Sequence, residues 1–108
     1  MCVCMYVCMY VCMYVCMYVL TLNISFLSLD ILANEERIDF LVCNAGIMAL
    51  PQREETEDGF EKQIGVNVFG HFYLIQQLLP KMMKQDFDNR VVVLSSTAHS
   101  MVWLTLCI

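Results

Sequence analysis

Charge is missing from both ends of this 108-residue chain. Residues 1–29 and 91–108 carry no charged side chain, so that every charge lies between residues 30 and 90. Positive charge is scarce even there, with six Lys and Arg against eleven Asp and Glu and a net charge of -5. Because binding to a phosphate backbone needs clustered positive charge, nucleic acid is excluded as a partner. The length allows one domain at most.

Cysteine is abundant, but its distribution argues against a disulfide scaffold. Five of the seven cysteines fall within the first 16 residues, and only Cys43 and Cys107 lie elsewhere. Those five belong to a repeat region in which residues 4–19 are four copies of Cys-Met-Tyr-Val. The cysteine count therefore says little about the redox compartment of the protein.

The repeat has three possible explanations. As a membrane anchor, an uncharged run of this length predicts a helix over about residues 3–22 and membrane association through residues 1–22, although no Lys or Arg precedes Arg37 to orient it. As a row of metal ligands, its Cys-x3-Cys spacing differs from the Cys-x2-Cys pairs of structural zinc sites. A membrane location follows if the anchor is genuine, and a cytoplasmic one otherwise.

The third explanation, a translated DNA repeat, is favoured. A four-residue period gives a drifting stripe on a helix and two faces on a strand, so that packing does not select either structure. Each tetrapeptide back-translates to ATGTATGTGTGT, a TG-rich simple repeat. We therefore interpret residues 1–29 as a hydrophobic low-complexity segment derived from upstream or intronic DNA.

The middle of the chain predicts a strand, a long helix and a second strand. Short apolar runs indicate strands at Phe40 to Cys43 and Val91 to Leu94. A helix is expected over about residues 58–84, started by Thr56 as its cap and bent or ended by Pro80. Its apolar face is expected to contain Phe60, Ile64, Val68, Phe72, Ile75, Leu79 and Met82.

This order predicts an α/β fold, a partial Rossmann-like fragment with one parallel βαβ crossover and an added hydrophobic N-terminal segment. Ligands in such folds bind at the carboxyl ends of the strands. Asn44 and Ser96 should therefore share one rim of the sheet, and Asn67 should be largely buried on the helix, facing the sheet with Val68. A simpler interpretation makes Asn67 a core residue and Ser96 a helix cap.

Three motifs resemble the central segment of the short-chain dehydrogenase/reductase family, in its retinol-dehydrogenase and WW-domain-oxidoreductase branch. They are "LVCNAG", "TEDGFEKQIGVNVFGHFYL" and "RVVVLSSTAH", in this order, and the resemblance covers about residues 31–100. The predicted organisation is then a low-complexity segment at 1–29, a dehydrogenase fragment at 30–100 and an unrelated apolar tail at 101–108.

The resemblance implies NAD or NADP as cofactor and a small alcohol or carbonyl compound as substrate. It implies catalytic roles for Ser96, which would hydrogen-bond the substrate oxygen as charge builds there, and for Asn67, which would help to hold the catalytic lysine and a proton-relay water. Cys43 stands where the family has the first Asn of its turn. The residues implied to lie at the cofactor are Asn44, Ala45 and Gly46.

Two family motifs are absent from the sequence. The four glycines lie between residues 46 and 70, so that no glycine-rich turn precedes the central strand. No Tyr-x3-Lys pair occurs, since Tyr73 is the last tyrosine and no lysine follows Lys84. We expect a truncated, catalytically incompetent dehydrogenase fragment; the alternative is a membrane-anchored, non-catalytic binding or decoy partner of full-length dehydrogenases. His71 and His99 are expected to be structural, with no metal site.

Overall fold

A computed structural model of the protein describes residues 20–98. Most of the helix expected over residues 3–22, and the whole tail at 101–108, therefore lie outside the described residues. Within residues 20–98 no helix is long and apolar enough to cross a membrane. The elements in chain order are α1 (Leu20–Asn34), β1 (Phe40–Cys43), α2 (Lys62–Ile64), a π-helix (Gly65–Gly70), α3 (His71–Met82) and β2 (Arg90–Val93).

The two strands form a parallel sheet, which confirms the predicted fold class. The register pairs Phe40 with Arg90 and Cys43 with Val93. Another hydrogen bond extends the ladder at the carboxyl end, where the Leu94 N–H donates to the Cys43 carbonyl at 3.1 Å. β2 runs from Arg90 to Val93, one residue earlier than the sequence predicted.

The connecting helix, residues 62–82, begins later than expected. Glu61 caps it, because its carboxylate accepts hydrogen bonds from the N–H groups of Gln63 at 3.0 Å and Ile64 at 2.9 Å. These bonds lower the pKa of Glu61. The expectation that Thr56 caps the helix is wrong, since its hydroxyl accepts from the Phe60 N–H at 3.2 Å and closes a separate turn.

Pro80 lies inside the helix and does not end it, because α3 continues to Met82. The C-terminal end of α3 is tied to the entry of β1 by Gln85. Its side-chain Oε1 accepts from the Ile38 N–H at 2.8 Å, and its Nε2 donates to the Ile38 carbonyl at 3.1 Å. One amide thus satisfies both backbone groups of a residue just before the strand.

The core lies between one face of the sheet and the helices, with α1 packed against the π-helix and α3. On β1, Leu41 and Cys43 point into this core, whereas Phe40 on the opposite face is 49% exposed. The uncovered face also carries Val92, which is 40% exposed. The buried apolar residues are Ile24, Leu27, Ile38, Leu41, Cys43, Val66, Leu74, Leu78 and Met82.

The face of the long helix that the sequence predicted to be buried is wrong, because a different side of the helix packs into the core. Of the residues expected there only Met82 is buried, and Phe60, Ile64, Val68 and Phe72 are exposed. The buried side of the helix contains His71 and two buried glycines, which an apolar pattern does not count. The π-helix also has a wider turn than an α-helix, which shifts the phase of the residues before it.

Candidate functional site

The residues that follow the two strands lie at one edge of the sheet. Because β1 and β2 are parallel, their carboxyl ends meet, and the turn Asn44, Ala45 and Gly46 lies on the same edge as Ser96, as predicted. Asn44, Gly46 and Ser96 are exposed, and Ala45 is half-buried. This rim presents polar groups to solvent at the position where α/β folds bind ligands.

Asn67 reaches the rim from the long helix and fixes the chain directly after the turn. Its side-chain Oδ1 accepts from the Ile47 N–H at 2.9 Å, and its Nδ2 donates to the Ile47 carbonyl at 2.8 Å. A Cβ atom on Gly46 would lie 3.4 Å from the same Oδ1, so that the turn passes close to this amide. The two bonds define one orientation of the amide and hold the turn in place.

Asn67 occupies the middle of the π-helix Gly65–Gly70. It is half-buried rather than largely buried. The expectation that Val68 faces the sheet with it is wrong, since Val68 is 51% exposed. Single π-turns inside helices are uncommon and often accompany functional sites. The flanking glycines were the only sequence signal for this feature, and they do not distinguish it from close helix packing.

Ser96 comes directly before a helical turn that begins at Thr97. Its Oγ accepts from the Ala98 N–H at 3.2 Å. This bond is the helix-cap arrangement that the simpler interpretation predicts. A hydroxyl whose oxygen accepts this bond can still donate a hydrogen bond to a ligand oxygen. The cap bond and the catalytic role are therefore compatible, and the role stays a prediction.

Cys43 lies on the inner side of the strand end. It is 1% exposed, in the core beneath the helices. A thiol is a weaker hydrogen-bonding group than the asparagine amide that the family has here. This position therefore contributes packing to the core and little polarity to the rim.

His71 is buried next to the site without hydrogen bonds from its ring. The residue is 6% exposed, and neither ring nitrogen has a partner of normal geometry among residues 20–98. Burial lowers the pKa of His71, and the nearby Asn67 carbonyl offsets part of this effect. No group of three potential metal ligands occurs in the described part of the chain. Burial thus favours a neutral imidazole at His71, and its structural role stays a prediction.

Comparison with known proteins agrees with the motifs. The family model described as short chain dehydrogenase matches residues 23–107, a range that begins before and ends after the predicted segment 30–100. Human retinol dehydrogenase 13 is 51% identical over 69 residues, 64% of this chain and 20% of that protein. Mouse retinol dehydrogenase 11 is 44% identical over 79 residues, 73% of this chain and 24% of that protein.

Human retinol dehydrogenase 14 is 48% identical over 70 residues, 65% of this chain and 20% of that protein. The chain thus spans about a fifth of the length of these curated relatives. No solved structure matches it. These matches confirm the resemblance that was drawn from the order of three motifs.

Proposed function

We propose that this chain, which belongs to the short-chain dehydrogenase family, is the central segment of an NAD- or NADP-dependent oxidoreductase. Such an enzyme acts on alcohol or carbonyl groups. The observation that carries this proposal is the paired hydrogen bonding of Asn67 to Ile47. It holds the turn Asn44–Gly46 at the carboxyl rim of the sheet, where the family binds its cofactor.

In this proposal the rim residues have separate tasks. Ser96 donates a hydrogen bond from its hydroxyl group to the substrate oxygen, where negative charge develops during reduction of a carbonyl group. Asn67 acts as a positioning residue, since its amide is occupied by the backbone of Ile47. The turn Asn44–Gly46 forms the cofactor side of the rim.

The described residues fit a nicotinamide cofactor only in part. The exposed turn supplies one wall, but between residues 20 and 98 no glycine-rich turn leads from a strand directly into a helix, where a pyrophosphate would bind. A Tyr-x3-Lys pair for proton transfer is also missing from the sequence. We therefore propose that the 108 residues by themselves neither bind the cofactor nor catalyse the reaction.

Fluorescence titration with NADH and NADPH tests the proposed inactivity. The 108-residue chain should give no saturable signal at micromolar cofactor, while full-length human retinol dehydrogenase 13 serves as the positive control. Saturable binding by the chain alone would refute this part of the proposal.

A chimera tests the proposed catalytic role separately. Residues 31–100 replace the matching segment of human retinol dehydrogenase 13, and retinol oxidation is measured. Ser96→Ala should abolish turnover in an active chimera, whereas the matched control Ser95→Ala should retain most of it. Equal activity of both variants would remove Ser96 from the catalytic machinery.

A second candidate function is a non-catalytic binding or decoy partner of full-length dehydrogenases. The uncovered sheet face supports it, because Phe40 and Val92 are exposed there. Such a face binds another protein readily. Adding the chain to full-length retinol dehydrogenase 13 should then lower its activity in a dose-dependent manner and shift its elution in gel filtration. Unchanged activity and elution would exclude this candidate for that relative.

A further inference from the structure

Helix α1 has apolar residues on two faces. Ile24 and Leu27 are buried in the core. The opposite face carries large apolar side chains in the open, with exposed fractions of 62% for Leu22, 71% for Phe26 and 62% for Leu29. Ala33, one turn further, is also exposed. These four residues follow helical spacing and form one outer stripe, Leu22, Phe26, Leu29 and Ala33.

The outer stripe continues the uncharged N-terminal part of the chain. The nineteen residues before Leu20 contain no charge, and the first charged residue is Asp30. Asp30 lies beside the stripe, and its carboxylate accepts a hydrogen bond from the Asn34 side-chain Nδ2 at 2.8 Å. The stripe itself contains no polar side chain, so that it offers no directional bond to a partner.

We propose that the outer stripe docks on a lipid surface, with α1 lying parallel to the membrane plane. The other face of α1 carries Ile24 and Leu27, which are buried against the rest of the protein and cannot face lipid. The helix therefore lies on the membrane rather than across it. This inference is independent of the proposed oxidoreductase function, because the outer stripe faces away from the core.

A protein partner fits the stripe less well than lipid does. A stable protein interface buries about 800 Å² on each partner, which three large side chains and one alanine cannot provide. Such interfaces also have polar rims that fix the register. A lipid surface requires neither.

The charge distribution defines which lipids the stripe prefers. Interfacial helices usually carry Lys and Arg that bind anionic headgroups. No Lys or Arg precedes Arg37, and the net charge of the chain is -5. The chain should therefore bind zwitterionic vesicles more tightly than anionic ones.

Tryptophan quenching in the full chain tests this docking surface. Phe26→Trp is made in a Trp103→Phe background and mixed with phosphatidylcholine vesicles whose acyl chains are brominated. We expect a blue shift and severalfold stronger quenching than for the matched control Phe72→Trp, because Phe72 is 62% exposed on a different helix. Equal quenching at both positions would overturn the proposal.

Affinity measurements separate the stripe from residues 1–19. Leu22→Ser with Leu29→Ser should weaken vesicle binding by roughly tenfold or more. The control Met83→Ser, at a position that is 76% exposed, should leave the affinity unchanged. Tighter binding to anionic than to zwitterionic vesicles contradicts the proposal. So does a blue shift of the Phe26→Trp chain that grows with protein concentration without vesicles, since it indicates docking of a second copy.

Discussion

Two amide side chains in this protein make the same pair of hydrogen bonds to a backbone residue, but at different places in the fold. Asn67 bonds both backbone groups of Ile47, and Gln85 bonds both backbone groups of Ile38. Each satisfies a donor and an acceptor of a residue outside the β1–β2 register. Only Asn67 lies at the carboxyl rim of the sheet, so that its location, and not its bond chemistry, makes it the candidate site residue.

Replacing Asn67 should destabilise the fold. Asn67→Ala removes both hydrogen bonds and leaves the Ile47 N–H and carbonyl without this partner, at a cost of about 1–3 kcal/mol in free energy of unfolding. Urea denaturation followed by circular dichroism measures the change. Asn34→Ala is the matched control, because its amide bonds to Asp30 are exposed, and it should cost less than about 0.5 kcal/mol. Equal losses would contradict the assigned role of Asn67.

His71 should make stability depend on pH. Burial lowers its pKa in the folded chain below the ordinary value of 6.5. The unfolded state then binds the proton first as the pH falls, so that stability is full above pH 6.5 and decreases from there towards the folded-state pKa. Urea midpoints at neutral pH and about one unit below the ordinary histidine pKa measure the loss.

Two variants assign this pH dependence. His71→Leu should remove it, because leucine keeps the apolar packing and cannot take up a proton. His99→Gln should retain it, since His99 is the other of the two histidines. A pH dependence that persists in His71→Leu and disappears in His99→Gln would contradict the prediction, because it would assign the effect to His99. The pH range in which His71 lowers the stability lies above the range in which Glu61 titrates, since the pKa of Glu61 is lowered from 4.5.

Among the elements, the strands could be predicted from sequence and the helix face could not. Short apolar runs between polar residues specify strands locally, which is why β1 was predicted with its observed bounds. The face of the long helix depends on what packs against it. Its buried side includes His71, although a sequence pattern counts histidine as polar. Its exposed side includes Phe72, although a sequence pattern counts phenylalanine as a core residue.

The uncovered sheet face should make the chain prone to aggregation. A two-stranded sheet with exposed apolar residues pairs readily with other chains. Val92→Lys places a charge on that face, where Val92 is 40% exposed, and should slow aggregation without loss of secondary structure. Light scattering and circular dichroism measure the two properties.

The control for this substitution is Leu41→Lys. Leu41 is 2% exposed on the opposite face of the same sheet. An unpaired ammonium group there is costly, and the variant should unfold. If Val92→Lys aggregates as fast as the unchanged chain, the uncovered face is not the source of association.

For the whole molecule, the family was evident from the order of three motifs, although no single motif was sufficient. The family match over residues 23–107 confirms it. The hydrogen bonds that shape the site could not be predicted, because Asn67 bonds to the backbone of Ile47 and a backbone group leaves no signature in the sequence. The Cys-Met-Tyr-Val repeat lies outside the described residues, and its origin stays a prediction.

The amides of Asn67 and Gln85 also fix how the strand lies against the helix. Asn67 lies in the π-helix, and Gln85 lies three residues after the end of α3. Ile47 and Ile38, which they bind, lie four residues after β1 and two residues before it. Each end of the strand is therefore tied to a different end of the helical segment. An insertion of one residue between Asn67 and Gln85, or between Ile38 and Ile47, should break one of the two pairs of hydrogen bonds, whereas substitutions at exposed positions between them should leave both pairs intact.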